Sequence, residues 1–224
     1  MLFSTIDQVK KFVAINKNGT DFSTLEPYLL EVEETVLEYI DDTTGAALQT
    51  EAGAATDPNM AALLPYVRKP IAFYALYKYV SGIGLVSLSD TGIQVSRNQN
   101  SDPAPQWKVN MLLKDLISSA DKAVDKMLAF LEKNKATYTD WAASSKYTEQ
   151  NDSFLQTAAE ADKYINIGES RRVFQRLKGE FKFVEEIQIR NMLCDPLYLE
   201  IKGQLRGESE LTDANKELVT LIKP

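Results

Sequence analysis

The chain has 224 residues, with 25 lysines and arginines against 32 aspartates and glutamates and a formal net charge of -7. That balance argues against a sequence-independent nucleic-acid binder, which needs a basic surface to release phosphate counterions. No histidine occurs, so the commonest general base at neutral pH and the commonest transition-metal ligand are both missing.

From the N-terminus, Thr5 to Ile15 reads as a short helix with Ile6, Val9, Phe12 and Val13 on one side, ended by Asn18-Gly19-Thr20. Ser23-Thr24-Leu25-Glu26 has the serine-to-glutamate spacing of a capping box and predicts the start of a second helix, which carries Leu29, Val32, Val36, Leu37 and Ile40. Asp41-Asp42-Thr43-Thr44-Gly45 is expected to stop it, and Ala46 to Thr56, rich in Ala, Gly and Thr, reads as a mobile loop. Asp57-Pro58 then opens an apolar helix, with an N-cap residue followed by proline where the missing N–H costs nothing. Its stretch Ile71 to Val80 is apolar nearly all round, as expected of a central, mostly buried element. Pro65 and Pro70 predict a kink or a break near Pro70. Ser81-Gly82-Ile83-Gly84 should end the helix, with glycine accepting the left-handed C-cap conformation.

Two short apolar runs, Leu85 to Ser89 and Ile93 to Arg97, flank Asp90-Thr91-Gly92 and predict a β-hairpin over about 85–97. Val86 and Leu88 share a face with Ile93 and Val95 across the pair, and a two-stranded ribbon needs that face covered by helices or by another subunit. After a polar linker from Asn98 to Pro105, Val109, Leu113, Leu116, Ala120, Val124, Met127 and Leu131 recur every three or four residues. They predict one helix from about Ala104 to Asn134, roughly 45 Å long. Lys114, Asp115, Asp121, Lys122, Asp125 and Lys126 read as its solvated face.

Ala136 to Ser153 reads as a polar linker with Trp141 and Tyr147 as anchors onto the first unit, and a helix starting at Ser170 is expected to run on to Met192. An internal echo accompanies it. Leu29-Leu30-Glu31-Val32-Glu33-Glu34, followed by Val36, Leu37 and Ile40, is similar to Phe183-Val184-Glu185-Glu186 followed by Ile187, Ile189, Met192 and Leu193. Thr56-Asp57-Pro58-Asn59 is similar to Thr212-Asp213-Ala214-Asn215, and both copies run to Lys-Pro, at Lys69-Pro70 and Lys223-Pro224. Three matches in one order suggest a partial repeat. The expectation is a mainly α multi-helix bundle with one short β-hairpin, divided into a helical domain over 1–135 and a second helical unit over 136–224 that partly repeats it.

Chemistry is sparse. Glu33-Glu34, Asp41-Asp42 and Glu185-Glu186 are paired carboxylates, but adjacent helical residues diverge by about 100° and read as solvated faces or helix ends. Ser119-Ala120-Asp121-Lys122 has a Ser-x-x-Lys spacing with no Lys-Thr-Gly or Ser-Asp-Asn partner. The single cysteine, Cys194, excludes an internal disulfide and reads as a small buried hydrophobe before the Asp195-Pro196 turn. The N-terminal residues lack a basic leader and no apolar run reaches about 18 residues, which predicts a soluble cytosolic protein. No catalytic, cofactor-binding or metal-binding residue is expected. Arg171, Arg172, Arg176, Lys178 and Lys182 form the one basic concentration, suited to a phosphate backbone or an acidic protein surface, or read as an ordinary charged helix face.

The order of capping-box helix, acidic stop, apolar tyrosine-rich helix, glycine break, hairpin and long helix resembles head-tail connector (adaptor) proteins of tailed bacteriophages and prophages. The resemblance covers roughly Thr24 to Lys133, and Tyr77 to Ile93 is its most telling piece. It implies a ring-forming, non-catalytic part of a virus particle that contacts itself and portal or tail proteins, in the bacterial cytoplasm during assembly. The expected partner interface is Val86, Leu88, Ile93 and Val95 on the hairpin, together with Arg171, Arg172 and Arg176 on the basic helix, which lies outside the resemblance. The unit after Ala136 departs from a typical small connector. The alternative is a helical interaction or regulatory module with no phage role, using the basic helix as its contact surface.

Overall fold

The computed structural model describes all residues except 15–20, 55, 83–85, 90–91, 96–104, 146, 148–152, 169, 207–208 and 223–224. The chain is mainly helical and divides into two compact units, Met1–Thr137 and Tyr138–Pro224.

In the first unit, α1 spans Ile6–Lys10, shorter than expected, and Val13 is buried beyond its end. The expected stop at Asn18-Gly19-Thr20 lies outside the described residues. Helix α2 runs Phe22–Leu37, with Asp21 rather than Ser23 at the N-cap and no side-chain cap bond, so Ser23 and Glu26 sit inside the helix instead of forming a capping box.

The expected loop after it is helical. Asp41 is an N-cap, its carboxylate accepting from the Thr44 amide at 2.9 Å, and α3 follows over Asp42–Gly53. The motif read as a stop is therefore also a start. Ala46, Ala47, Leu48, Gln49, Glu51 and Ala52 are good helix formers, and Leu48 is fully buried.

Helix α4, Pro58–Ser81, is uninterrupted, with Asp57 capping the Asn59 amide and Pro58 at the first position. Pro65 and Pro70 each remove a backbone donor inside it, yet the helix does not break, because it packs on α2, α3 and α5 (Gln106–Lys133). Ile71, Ala72 and Ala75 are buried and the tyrosines at 74, 77 and 79 half-buried. Tyr66 stacks on Phe130 of α5 at 4.3 Å. Gly82 ends α4 with φ -97, not in the left-handed region. Helix α5 has 28 residues, about 42 Å. Asp121, expected on its solvated face, is buried and accepts from the Tyr74 hydroxyl. Between α4 and α5, β1 (Val86–Ser89) pairs antiparallel with β2 (Gly92–Val95), in the register Val86 to Val95 and Leu88 to Ile93.

In the second unit, the stretch read as linker carries α6, Thr139–Ala143, whose Trp141 is fully buried and packs on Tyr147 at 4.7 Å. Helix α7 is Ala158–Asp162, and α8 is Arg171–Val184, capped by Ser170. A π turn over Glu185–Ile189 continues it into α9, Arg190–Leu193. Helices α10 (Asp195–Arg206) and α11 (Asp213–Ile222) come next. Phe154, Tyr198, Ile201 and Val219 form one core here, and Ala158, Ala161 and Phe174 another. Cys194 is exposed with φ +63, correcting the reading of a buried hydrophobe: it is the joint between α9 and α10 and points outward.

Candidate functional site

The buried carboxylates are the structure's most organised polar chemistry. Glu33, read as solvated, is 3 % exposed. Its oxygens accept from the Leu2 amide at 2.6 Å and the Gln49 side-chain amide at 3.0 Å, and lie 3.6 Å from the Met1 amine. Arg68 donates to the Leu2 carbonyl at 2.8 Å and lies over the Phe3 ring. Burial pushes its guanidinium below the ordinary value while Glu33 opposes the shift. Glu33 thus fastens the N-terminal segment to α2 and α3.

Glu185, also read as solvated, is 4 % exposed. It accepts from the Ser153 hydroxyl at 2.5 Å and the Phe154 amide at 2.8 Å, and pairs with Lys202 at 2.7 Å. A charge without partners would not survive such burial, and these contacts are what permit it. Nearer the surface, Arg190 joins Glu186 at 2.8 Å and Asp195 at 2.7 Å, which holds both carboxylates below their ordinary range.

Glu51 is a third buried glutamate. It accepts from the Asp57 amide at 2.8 Å and the Thr56 amide at 2.7 Å, and these backbone donors lower its pKa. It thereby braces the entry to α4. All three glutamates spend their acceptors on holding chain segments together, so none is poised as a general base toward a substrate.

A surface cleft of about 180 Å³ is lined by Leu37, Asp41, Asp42, Gly45, Ala46 and Gln49. It is smaller than the roughly 300–1,000 Å³ of a small-molecule site. Among the described residues no group of three potential metal ligands occurs, and no helix is long and apolar enough to cross a membrane.

The expected interface residues fall in both units. Val86, Leu88, Ile93 and Val95 lie on the paired strands, and Arg171 and Arg172 open α8, but the side chains of all six are outside the described residues. Arg176 is exposed on α8. Sequence reading missed exposed apolar side chains at the start of α5: Trp107 is 63 % exposed and Met111 64 %, with Leu112 beside them. Their i, i+4 spacing puts Trp107 and Met111 on one face, the signal that could have found them.

A model for a family described as of unknown function, DUF6712, matches residues 21–151, more than half of the chain. No curated protein and no solved structure matches it.

Proposed function

This chain belongs to the DUF6712 family, described as of unknown function, and from the resemblance over Thr24 to Lys133 we propose that it is a non-catalytic structural protein of virus-particle assembly, of the head-tail connector type, which acts as a homo-oligomeric ring. The observation that carries the reading is the first unit's pair of long helices: α4 with 24 residues and α5 with 28, packed on one another, with the two-stranded pair on the segment that joins them. A packed pair of this length is stiff enough to hold an arm against a neighbouring subunit. Exposed Trp107, Met111 and Leu112 supply apolar contact area at the arm's end of α5, where an isolated chain gains nothing from exposing it. The partners are other copies of the chain and the portal or tail proteins on either side. The compartment is the bacterial cytoplasm during assembly, and neither nucleic acid nor membrane is required.

Sedimentation velocity of the purified chain over about 1–100 µM, with negative-stain electron microscopy of the same samples, tests this directly, since obligate interfaces bury roughly 2,000 Å² or more. The expected outcome is closed rings, dispersed by Trp107→Asp. A chain that stays monomeric across the range, alone and with portal protein, overturns the proposal.

A further inference from the structure

We infer that the second unit is a second copy of the first unit's four opening helices, built around the same buried glutamate, with a one-residue insertion that the π turn absorbs. In each unit a non-helical segment, at the start of the first and after α6 in the second, has a backbone amide that donates to a buried glutamate 31 residues later, Leu2 to Glu33 and Phe154 to Glu185. Each segment then enters a five-residue helix, Ile6–Lys10 or Ala158–Asp162, with a threonine at the N-cap. Two positions before each of these helices, a backbone amide donates to a side chain four residues on, Ser4 to Gln8 at 2.9 Å and Gln156 to Glu160 at 3.1 Å.

The correspondence continues past the glutamate. In the first unit the side chain that meets Glu33 from the next helix is Gln49, 16 residues on; in the second the side chain that meets Glu185 is Lys202, 17 residues on. The extra residue falls between Glu185 and Lys202, a span that opens with a π turn, Glu185–Ile189, where the first unit has regular α-helix. A π turn bonds i to i+5 and so fits one more residue into a helix without rotating the next turn. Beyond it the pattern is again in step. Leu48 and Ile201, each one residue before the side chain that meets the glutamate, are both 0 % exposed. Two residues after that side chain, Glu51 accepts from the Thr56 amide and Gln204 from the Thr212 amide, each threonine lying just before the next helix. That last connection is longer in the second unit, 8 residues against 5. Four matched hydrogen bonds, one matched pair of core residues and an insertion found at the expected place are more than shared helix chemistry supplies.

Deletion tests it in the full chain. Gln188 is exposed within the π turn and Arg176 is exposed in regular helix. Deleting Gln188 should close the π turn into α-helix and keep the Phe154 amide within about tenfold of its parent hydrogen-exchange protection, with a thermal midpoint within about 5 °C. Deleting Arg176 rotates Phe174 by about 100° relative to the glutamate and should cut that protection at least a hundredfold. The inference is overturned if the Gln188 deletion exposes Phe154 as far as the Arg176 deletion does. An alanine inserted between Thr35 and Val36 tests the equivalence from the other side: it should be taken up as a π turn with the Leu2 amide still protected, and loss of that protection counts equally against the inference.

Discussion

Glu33 and Glu185 do the same mechanical work with different charge arrangements. Glu185 faces one buried cation, Lys202, and the pair is only 5–6 % exposed. Glu33 faces the neutral amide of Gln49, and its charge is shared between the Met1 amine and the nearby Arg68. The difference teaches that a buried carboxylate is kept for the backbone amide it holds, while the compensating charge can come from whichever neighbour the local chain offers. A single concentrated pair is also more fragile than a shared one, because removing one partner leaves the other charge buried and alone.

Three measurements sharpen that contrast. Lys202→Met has the largest expected effect, a loss of about 3–5 kcal/mol in the unfolding of the second unit, read by chemical denaturation. A loss below about 1 kcal/mol would mean that the pair is not what permits the burial of Glu185. Glu33→Gln gives up shared charge and one of the two oxygens that accept from the Leu2 and Gln49 amides, but it strands no fully buried cation, so a smaller loss of about 1–3 kcal/mol is expected in the first unit. Parity with Lys202→Met would remove the distinction between concentrated and shared compensation. The smallest effect is on pH dependence. The pKa of Glu51 is lowered from 4.5 by the Asp57 and Thr56 amides. Its contribution is therefore present above pH 4.5 and lost as the pH falls through the lower folded-state value. Gln204, which holds the matching amide in the second unit, does not titrate. Glu51→Gln should flatten the acid limb of the first unit's stability curve and leave the second unit's unchanged; an unaltered limb would show that other carboxylates carry it.

The sequence made α4 and α5 legible because their signals are local: Asp57-Pro58 at one start, and a three-four apolar recurrence along the other. Helix α3 was hidden because Asp41-Asp42-Thr43-Thr44-Gly45 ends one helix and caps the next, and its Ala-rich body lacks a broad apolar face. The burial of Glu33 and Glu185 was hidden for another reason. Their partners Leu2 and Phe154 stand 31 residues away, beyond the reach of any helical spacing. The echo between the two Val-Glu-Glu stretches pointed to both glutamates without revealing their partners, and its Lys223-Pro224 end lies outside the described residues. Of the expected interface, only Arg176 can be placed as an exposed side chain.

Cys194 combines three properties: it is the chain's single thiol, it is exposed, and it bends the backbone at the joint between α9 and α10. A maleimide dye or nitroxide therefore attaches at one site with no background to engineer away. Its emission or line shape would follow that joint in real time as the second unit unfolds and refolds, making the native molecule its own reporter.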